Sequence, residues 1–319
     1  MAKIRSFKQQ FKYALYESYK KDESKHSAKN DERGLEGKIF STNRLHDLID
    51  LSNQLGDFIS ENYEIKKVAE INSEMMNDFL EMKEETCNSN TLFEYKSRIN
   101  KISEYCNSVY KNHDINFEPT KNYEKDNFKI RDKSMESEDL DILKQSLGES
   151  GNIGELALEI AERTGMRARE IAELRQGDIN VEDGIVEVRK GAKGGNFRDI
   201  PMKENDMEFW KNLSDKKITN DNNKIFGNKT EDTINKAIRY HMKKNNLDKK
   251  YENTTIHSVR KMYAKEEFER VLKEIKEKYN DKNIDNEDLR RLAWENVQQK
   301  LGHGSVYRYE LFDTYMNAM

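Results

Sequence analysis

"ERTGMRAREIAELRQGDI", residues 162–179, closes one amphipathic helical pattern and opens another directly after Gly165. Glycine just beyond the last periodic residue is typical of a helix end. The new helix carries Arg167 and Arg169 in its first turn, where the helix dipole disfavours cations and stabilises anions. Because arginine binds anions in a bidentate manner, the stretch predicts an anion held jointly by a helix N-terminus and an arginine.

The composition predicts a mostly helical protein of two domains. The chain has 319 residues, only two prolines and 15 glycines, which favours helices. Two cysteines are too few for a disulfide framework or a metal cluster. No apolar run reaches the roughly 18 residues of a membrane span, so we expect no membrane contact and a cytoplasmic protein. A net charge of −4 weighs against nucleic acid unless the basic residues gather on one face.

Helical periodicity and its interruptions divide the chain into four parts. Residues 1–38 predict an N-terminal helix followed by a charged linker. Residues 39–118 carry apolar stripes at helical spacing, and Ser41 is a candidate N-cap for the first of them. Residues 119–135 lack periodicity and are predicted to link the domains. Residues 136–319 form the second domain.

Only one stretch has convincing β character. Residues 184–202, "GIVEVRKGAKGGNFRDIPM", alternate apolar with polar side chains, turn through glycines and return. The second domain is therefore predicted to be mainly α with a small β-hairpin, which is an α+β fold.

Four stretches of this domain supply side chains suited to phosphoryl transfer without a metal or a cofactor. Guanidinium groups bind two non-bridging oxygens and neutralise charge at phosphorus. Lysine can protonate a leaving alkoxide, histidine can move protons, and tyrosine can form a covalent phosphoester. Each stretch alone is a weak signal, whereas their order along the chain is informative.

That order resembles the catalytic domain of the tyrosine recombinases, the integrase family of phages and mobile elements, over about residues 137–319. "TGMRAREIAELRQGDI" is similar to the first arginine box of the family, and "GAKGGNFRDIPM" to its β-hairpin. "IHSVRKMYA" and "LGHG" resemble the two later boxes. Residues 39–118 suit the family's helical, SAM-like core-binding domain. The resemblance implies catalytic roles, with support from Glu170, for Arg167, Lys193, His257, Arg260 and His303.

The tyrosine that would attack phosphorus departs from the commonest family spacing. After His303 that spacing falls on Phe312, and Tyr315 lies three residues later, about one helical turn. Because "ELFDTYM" resembles the terminal stretch of the family, Tyr315 is the predicted nucleophile. Tyr309, Tyr307 and an altered nucleophile at position 312 remain open as alternatives.

The segment between Arg260 and His303 is about twice as long as is usual in the family. Its excess, around residues 266–288, is rich in charge and helical in pattern. We expect a helical insertion on the outside of the domain.

The resemblance implies a site-specific recombinase that cuts and re-joins duplex DNA through a 3′-phosphotyrosine. In that scheme Arg167 and Arg260 hold the non-bridging oxygens with help from His303. Lys193 protonates the 5′-oxygen, and His257 accepts or positions a proton. The implied partners are double-stranded DNA with an inverted-repeat core site, three further protomers in a DNA-bound tetramer and, optionally, an accessory DNA-bending protein. The resemblance thus also implies a nucleoid-associated protein.

Three other functions stay open at this stage. A type IB topoisomerase-like enzyme would use the same chemistry for nicking and closing. A DNA-binding regulator could keep the scaffold without catalysis. A helical interaction protein could carry the motifs by accident.

Overall fold

The computed structural model divides the chain into two compact units, residues 1–129 and 130–319. Each unit has its own hydrophobic core. For residues 309, 310 and 313 the structure describes the backbone and not the side chain. The residues described are 5–21, 23, 28, 34–125, 133–192, 195–216, 223–251, 255–279, 285–303 and 309–316.

The first unit is all-helical. The predicted cap at Ser41 is present, and its hydroxyl accepts a hydrogen bond from the Arg44 amide at 3.4 Å. Phe11 and Leu15 of the N-terminal helix are buried in the same core as the other helices. The N-terminal helix, which the sequence pattern sets apart from residues 39–118, therefore shares their core. The helices are α1 (Phe7–Glu17), α2 (Thr42–Asn62), α3 (Ser73–Glu84) and α4 (Ser89–Val109).

The second unit combines helices with one small sheet, which confirms the predicted fold class. Its helices are α5 (Ser137–Glu149), α6 (Gly154–Thr164), α7 (Ala168–Glu173), α8 (Met207–Ser214), α9 (Glu231–Lys244), α10 (Ile256–Lys278), α11 (Asn286–Leu301) and α12 (Tyr309–Met316). The main core of this unit lies between the sheet and α5–α9, and it includes the first residues of α10. No helix within the described ranges combines the length and the apolar content of a membrane span.

The sheet has three antiparallel strands in the order β1-β2-β3. They are β1 (Ile179–Asn180), β2 (Ile185–Val188) and β3 (Arg198–Pro201). Val186 pairs with Ile200, and Val188 pairs with Arg198. Because side chains alternate along a strand, residues 198 and 200 share a face, and Ile200 on that face is buried. The predicted hairpin is thus confirmed, and β1 is an added strand too short to show a pattern.

A second core in this unit lies between α10, α11 and α12. Phe268 and Val271 come from the stretch predicted to be an external insertion, and both are buried. They pack with Trp294 and with residues of α12. The expectation of an outside position is therefore wrong for the apolar face of this stretch, because a long charged helix can still bury one stripe.

His241 on α9 gives the fold a specific pH dependence. The ring is buried, with Nδ1 2.9 Å from the Ser146 hydroxyl and Nε2 3.4 Å from the Ser150 hydroxyl. Burial, and then the charge of Lys244, lower the pKa of His241. The unfolded chain therefore takes up this proton at a higher pH than the folded chain does. The stabilisation is complete above the unfolded pKa of about 6.5 and is lost as pH falls below it.

We expect the difference in free energy of unfolding between wild type and His241→Gln to be larger at pH 7.5 than at pH 5.5. Urea denaturation at the two pH values measures it. The control is His46→Gln on the exposed face of α2, which should lower the free energy of unfolding at pH 7.5 much less than His241→Gln does. An equal His241→Gln difference at both pH values would contradict the assignment.

Candidate active site

The first arginine box contains a position, residue 165, that only glycine can occupy. Gly165 ends α6 with a left-handed φ of 61°, and a Cβ there would overlap the Tyr263 ring. Both conditions exclude other residues. The sharp exit from α6 makes Arg167 the N-cap residue of the six-residue helix α7.

A carboxylate of the protein itself occupies the start of α7. Glu170 is 1% exposed, and its Oε2 accepts a hydrogen bond from the Arg167 amide at 2.8 Å. Its Oε1 accepts another from Arg167 Nη1 at 2.9 Å. In this respect the structure differs from the sequence prediction, because the amide at the helix start already has an anionic partner. The Arg167 side chain, 25% exposed, is the part that an external anion can reach.

Arg198 on β3 completes the pairing of Glu170. Its Nη1 and Nη2 donate to the two carboxylate oxygens at 3.0 and 2.8 Å, and its Nε donates to the Lys300 carbonyl at 2.6 Å. Burial by itself would raise the pKa of Glu170. The hydrogen bonds and charge of Arg198, then the Arg167 amide and the Arg260 charge, lower that pKa below its ordinary value. Glu170 is therefore a stable carboxylate among arginines.

Sequence reasoning missed Arg198, although a signal was present. Strand alternation puts position 198 on the face of β3 that also carries the apolar Ile200. A charged residue on a buried face needs a partner of opposite charge. The pattern could therefore have predicted a buried ion pair for this arginine.

Arg260 lies at the centre of the site and is fully buried. Its Nη1 donates to the Gly165 carbonyl, and its Nη2 donates to the Leu301 carbonyl at 2.6 Å. The same Nη2 is 3.0 Å from His303 Nε2. Burial lowers the pKa of Arg260, and the nearby charge of Arg167 acts in the same direction. The two guanidinium groups are thus within electrostatic range of each other.

Tyr315 on α12 reaches this arginine directly. Arg260 Nε donates to the phenolic oxygen at 3.2 Å, and His303 Nε2 lies 3.2 Å from the same oxygen. The His303 and His257 rings are 5.3 and 6.1 Å from the Tyr315 ring, centroid to centroid. A guanidinium and two imidazoles therefore surround one phenol.

Aromatic packing explains why residue 315, rather than residue 312, faces the arginine. Phe312 is buried with its ring centroid 5.4 Å from Phe268 and 5.6 Å from Trp294. Trp294 also contacts the Tyr315 ring, at 5.8 Å. One face of α12 thus inserts Phe312 into the α10–α11 core, and the next turn places Tyr315 beside Arg260.

The structure brings together most of the residues that the sequence singles out. Lys193 and Tyr307 lie outside the described residues, and Tyr309 begins α12 without a described side chain. In the described part of the chain, no group of three or more His, Cys, Asp or Glu side chains could hold a metal ion. The residues that meet are Arg167, Glu170, His257, Arg260, His303 and Tyr315.

The arrangement is suited to binding a phosphate diester beside a phenol. Three arginines stand around one carboxylate, Glu170, so positive charge is in excess. Guanidinium groups in a dry site are strong partners for non-bridging phosphate oxygens. The arrangement therefore puts an excess of positive charge beside a phenol, a group that can form phosphoesters.

A comparison with known protein families matches part of the second unit. The model of the phage integrase family matches residues 133–277. No curated protein sequence matches the chain.

Several solved structures share the fold at low sequence identity. A lambda integrase tetramer bound to a Holliday junction is 16% identical with a TM-score of 0.60, and the match covers 87% of this chain and 74% of that one. The Tn1549 transposon integrase in complex with transposon right-end DNA is 15% identical, with a TM-score of 0.59 and coverage of 97% and 94%. The XerH site-specific recombinase bound to a palindromic difH substrate is 14% identical, with a TM-score of 0.58 and coverage of 99% and 94%. Residues 133–277 thus match the phage integrase family, and over most of its length the chain shares the fold of these tyrosine recombinase structures.

Proposed function

We propose that this protein is a site-specific DNA recombinase that cuts and re-joins duplex DNA through a phosphotyrosine on Tyr315. The observation that carries the proposal is the hydrogen bond from Arg260 Nε to the Tyr315 hydroxyl at 3.2 Å. This contact supports Tyr315 as the nucleophile, because a phosphate held by Arg260 and Arg167 would lie within reach of the phenolic oxygen. The family match supports the class of reaction.

The reaction needs no external energy source, because one phosphodiester is exchanged for another. The phenolic oxygen attacks phosphorus, the bond to the 5′-oxygen breaks, and a 3′-phosphotyrosine remains. Arg167 and Arg260 neutralise charge on the non-bridging oxygens, most strongly in the transition state. Attack by a 5′-hydroxyl of the partner strand reverses the step and releases Tyr315.

Proton transfer follows from the contacts of the phenol. His303 Nε2 is 3.2 Å from the Tyr315 oxygen, within the range for accepting its proton. The His257 ring lies 6.1 Å from the Tyr315 ring, centroid to centroid, and His257 is proposed to orient the phenol or to relay the proton. Lys193, by its place in the hairpin motif, is proposed to protonate the departing 5′-oxygen.

We propose a tetramer on an inverted-repeat core site as the working assembly. Strand exchange joins two duplexes, and each duplex supplies two half-sites. The lambda integrase structure, a tetramer on a Holliday junction, supports this arrangement by analogy. The all-helical first unit is proposed as the core-binding domain and the second unit as the catalytic domain.

The exposed face of α9 supplies local positive charge that the net charge of −4 conceals. Arg239, Lys243 and Lys244 are exposed, and Tyr240 beside them is 68% exposed. None of the three basic side chains forms an ion pair with a residue in the described ranges. We expect this surface to bind DNA phosphates.

The triple variant Arg239→Ala/Lys243→Ala/Lys244→Ala should bind DNA more weakly, with a shallower dependence of log affinity on log salt. Removing one phosphate-binding cation reduces the slope by about 0.9, so the slope should fall by up to about 2.7. Fluorescence anisotropy with duplex DNA, at salt concentrations from about 50 to about 300 mM, measures the slope. At the lowest salt concentration we expect the triple variant to bind about tenfold more weakly than wild type.

The matched control is Lys236→Ala on the same helix, because Lys236 is paired with Asp232 at 2.7 Å. We expect this variant to change the slope by less than about half a unit. A triple variant with the wild-type slope would show that α9 does not contact the backbone of DNA.

A covalent-trapping experiment tests the proposed function. The protein first selects its binding site from a pool of randomised duplexes. The selected duplex is then made as a set of suicide substrates, each nicked near a different phosphate so that cleavage releases a short fragment and re-joining fails. We expect a covalent protein–DNA adduct whose peptide map ends at Tyr315. Binding without an adduct on any substrate would favour the non-catalytic regulator, and plasmid relaxation without strand exchange would favour the nicking-closing enzyme.

A further inference from the structure

Arg198 connects three separate parts of the site, and the sequence motifs assign it no role. Through its forked contact with Glu170 it reaches the first arginine box. Through Nε it reaches the Lys300 carbonyl at 2.6 Å, at the end of α11. It stands itself on β3, the strand that follows Lys193 in the sequence motif of the hairpin.

Arg198 contacts the turn before His303 sterically as well as through a hydrogen bond. Gly302 ends α11 with a left-handed φ of 66°, and a Cβ at this position would come within 2.7 Å of Arg198 Nη1. The His303 amide follows directly and donates to the Gln298 carbonyl at 3.1 Å. The Arg198 guanidinium therefore packs against the turn that sets the direction of His303.

Arg198 is connected to Arg167 through the Glu170 carboxylate, which both arginines contact. Glu170 accepts hydrogen bonds from Arg198 on both oxygens and from Arg167 on both oxygens. The side chain of Arg198 is 7% exposed and that of Glu170 is 0% exposed. A buried carboxylate with two arginines has few alternative positions, since removal of one partner leaves charge unpaired in a dry site. The rotamer of Arg167 thus depends on Arg198 although the two do not need to touch.

From this connectivity we infer that Arg198 is a positioning residue of the recombination reaction. It orients Arg167 through Glu170 and orients His303 through the Lys300–Gly302 turn, without contacting the phosphate itself. Only a planar fork can satisfy the carboxylate and the carbonyl together. A lysine at this position keeps the charge but not the geometry. The inference rests on the proposed function for its effect on rate.

The kinetic test compares Arg198→Lys and Arg198→Ala with wild type on the selected suicide substrate. We expect the rate of adduct formation to fall about tenfold and about 100-fold respectively, since an ångström of misplacement costs that order. Affinity for the same duplex should change by less than about twofold, because the residues that bind phosphate are all retained. The matched control is Arg189→Lys, an arginine on the same hairpin whose ion pairs with Glu187 and Asp199 are partly exposed.

A substrate with sulfur in place of the bridging 5′-oxygen distinguishes positioning through Arg167 and His303 from an effect on the hairpin lysine. Sulfur leaves without needing a proton. We expect this substrate to restore the rate of Lys193→Ala and to leave Arg198→Lys slow. Restoration of Arg198→Lys would overturn the inference, because the defect would then lie in leaving-group protonation.

Amide hydrogen exchange tests the same connection without catalysis. It is measured on Arg198→Lys, so that the test holds even where Arg198→Ala folds poorly. In Arg198→Lys we expect exchange about tenfold faster or more at residues 167–170 and 300–303, with the helices of the first unit unchanged. Faster exchange at both segments supports the inference even if wild type forms no adduct, an outcome that would count against the proposed function alone. Unchanged exchange together with an unchanged adduct rate overturns the inference while the proposed function stands.

Discussion

Tyr315→Phe is expected to abolish the covalent protein–DNA adduct while the protein remains folded and bound to DNA. The substitution removes only the phenolic oxygen that Arg260 Nε and His303 Nε2 contact at 3.2 Å. The ring stays packed on Trp294. Because the nucleophile itself is removed, the rate of adduct formation should fall by at least about 10⁴-fold. Gel analysis of the suicide reaction under denaturing conditions measures it.

Three further variants decide between the candidate nucleophiles. Tyr309→Phe and Tyr307→Phe should retain the adduct if Tyr315 is the nucleophile. The double variant Phe312→Tyr/Tyr315→Phe should remain inactive, because the side chain of residue 312 is directed into the α10–α11 core. An adduct that persists in Tyr315→Phe would move the nucleophile to another residue.

Arg260→Lys is expected to lose both activity and stability. The fully buried guanidinium donates hydrogen bonds to the Gly165 carbonyl, the Leu301 carbonyl and the Tyr315 hydroxyl. A lysine keeps one charge but cannot reach three directions with a planar fork. We expect the adduct rate to fall about 10²–10³-fold, as for loss of a transition-state donor. The free energy of unfolding should fall by about 1–3 kcal/mol for each buried partner left unsatisfied.

Suicide-substrate kinetics and urea denaturation measure the two effects separately. Arg291→Lys on α11 is the control, since that arginine is 59% exposed and pairs with Glu295 at 3.4 Å. It should change the adduct rate by less than about twofold and the free energy of unfolding by less than about 0.5 kcal/mol. If Arg260→Lys behaved like this control, Arg260 would not hold the phosphate.

The sequence patterns predicted the parts of this protein that depend on local order. Glycine after a periodic run predicted the end of α6, and alternation predicted β2 and β3, which the structure confirms. Both signals are local, because a backbone conformation or a strand face is decided by a few neighbouring residues. The position of residues 266–288, the stretch predicted to be an external insertion, was misjudged because its charge is local information, whereas the burial of Phe268 depends on a partner, Phe312, far along the chain.

By itself, the sequence determined which chemical groups are available and in what order: arginines, histidines, a hairpin lysine and a late tyrosine. Only the tertiary structure decided which of them meet. It paired Glu170 with Arg198, 28 residues away, and brought Tyr315 to Arg260 across 55 residues. The physical reason is that a buried charge accepts only a complete set of partners. That set is supplied by helix ends and a strand that come together only when the core of this unit is packed.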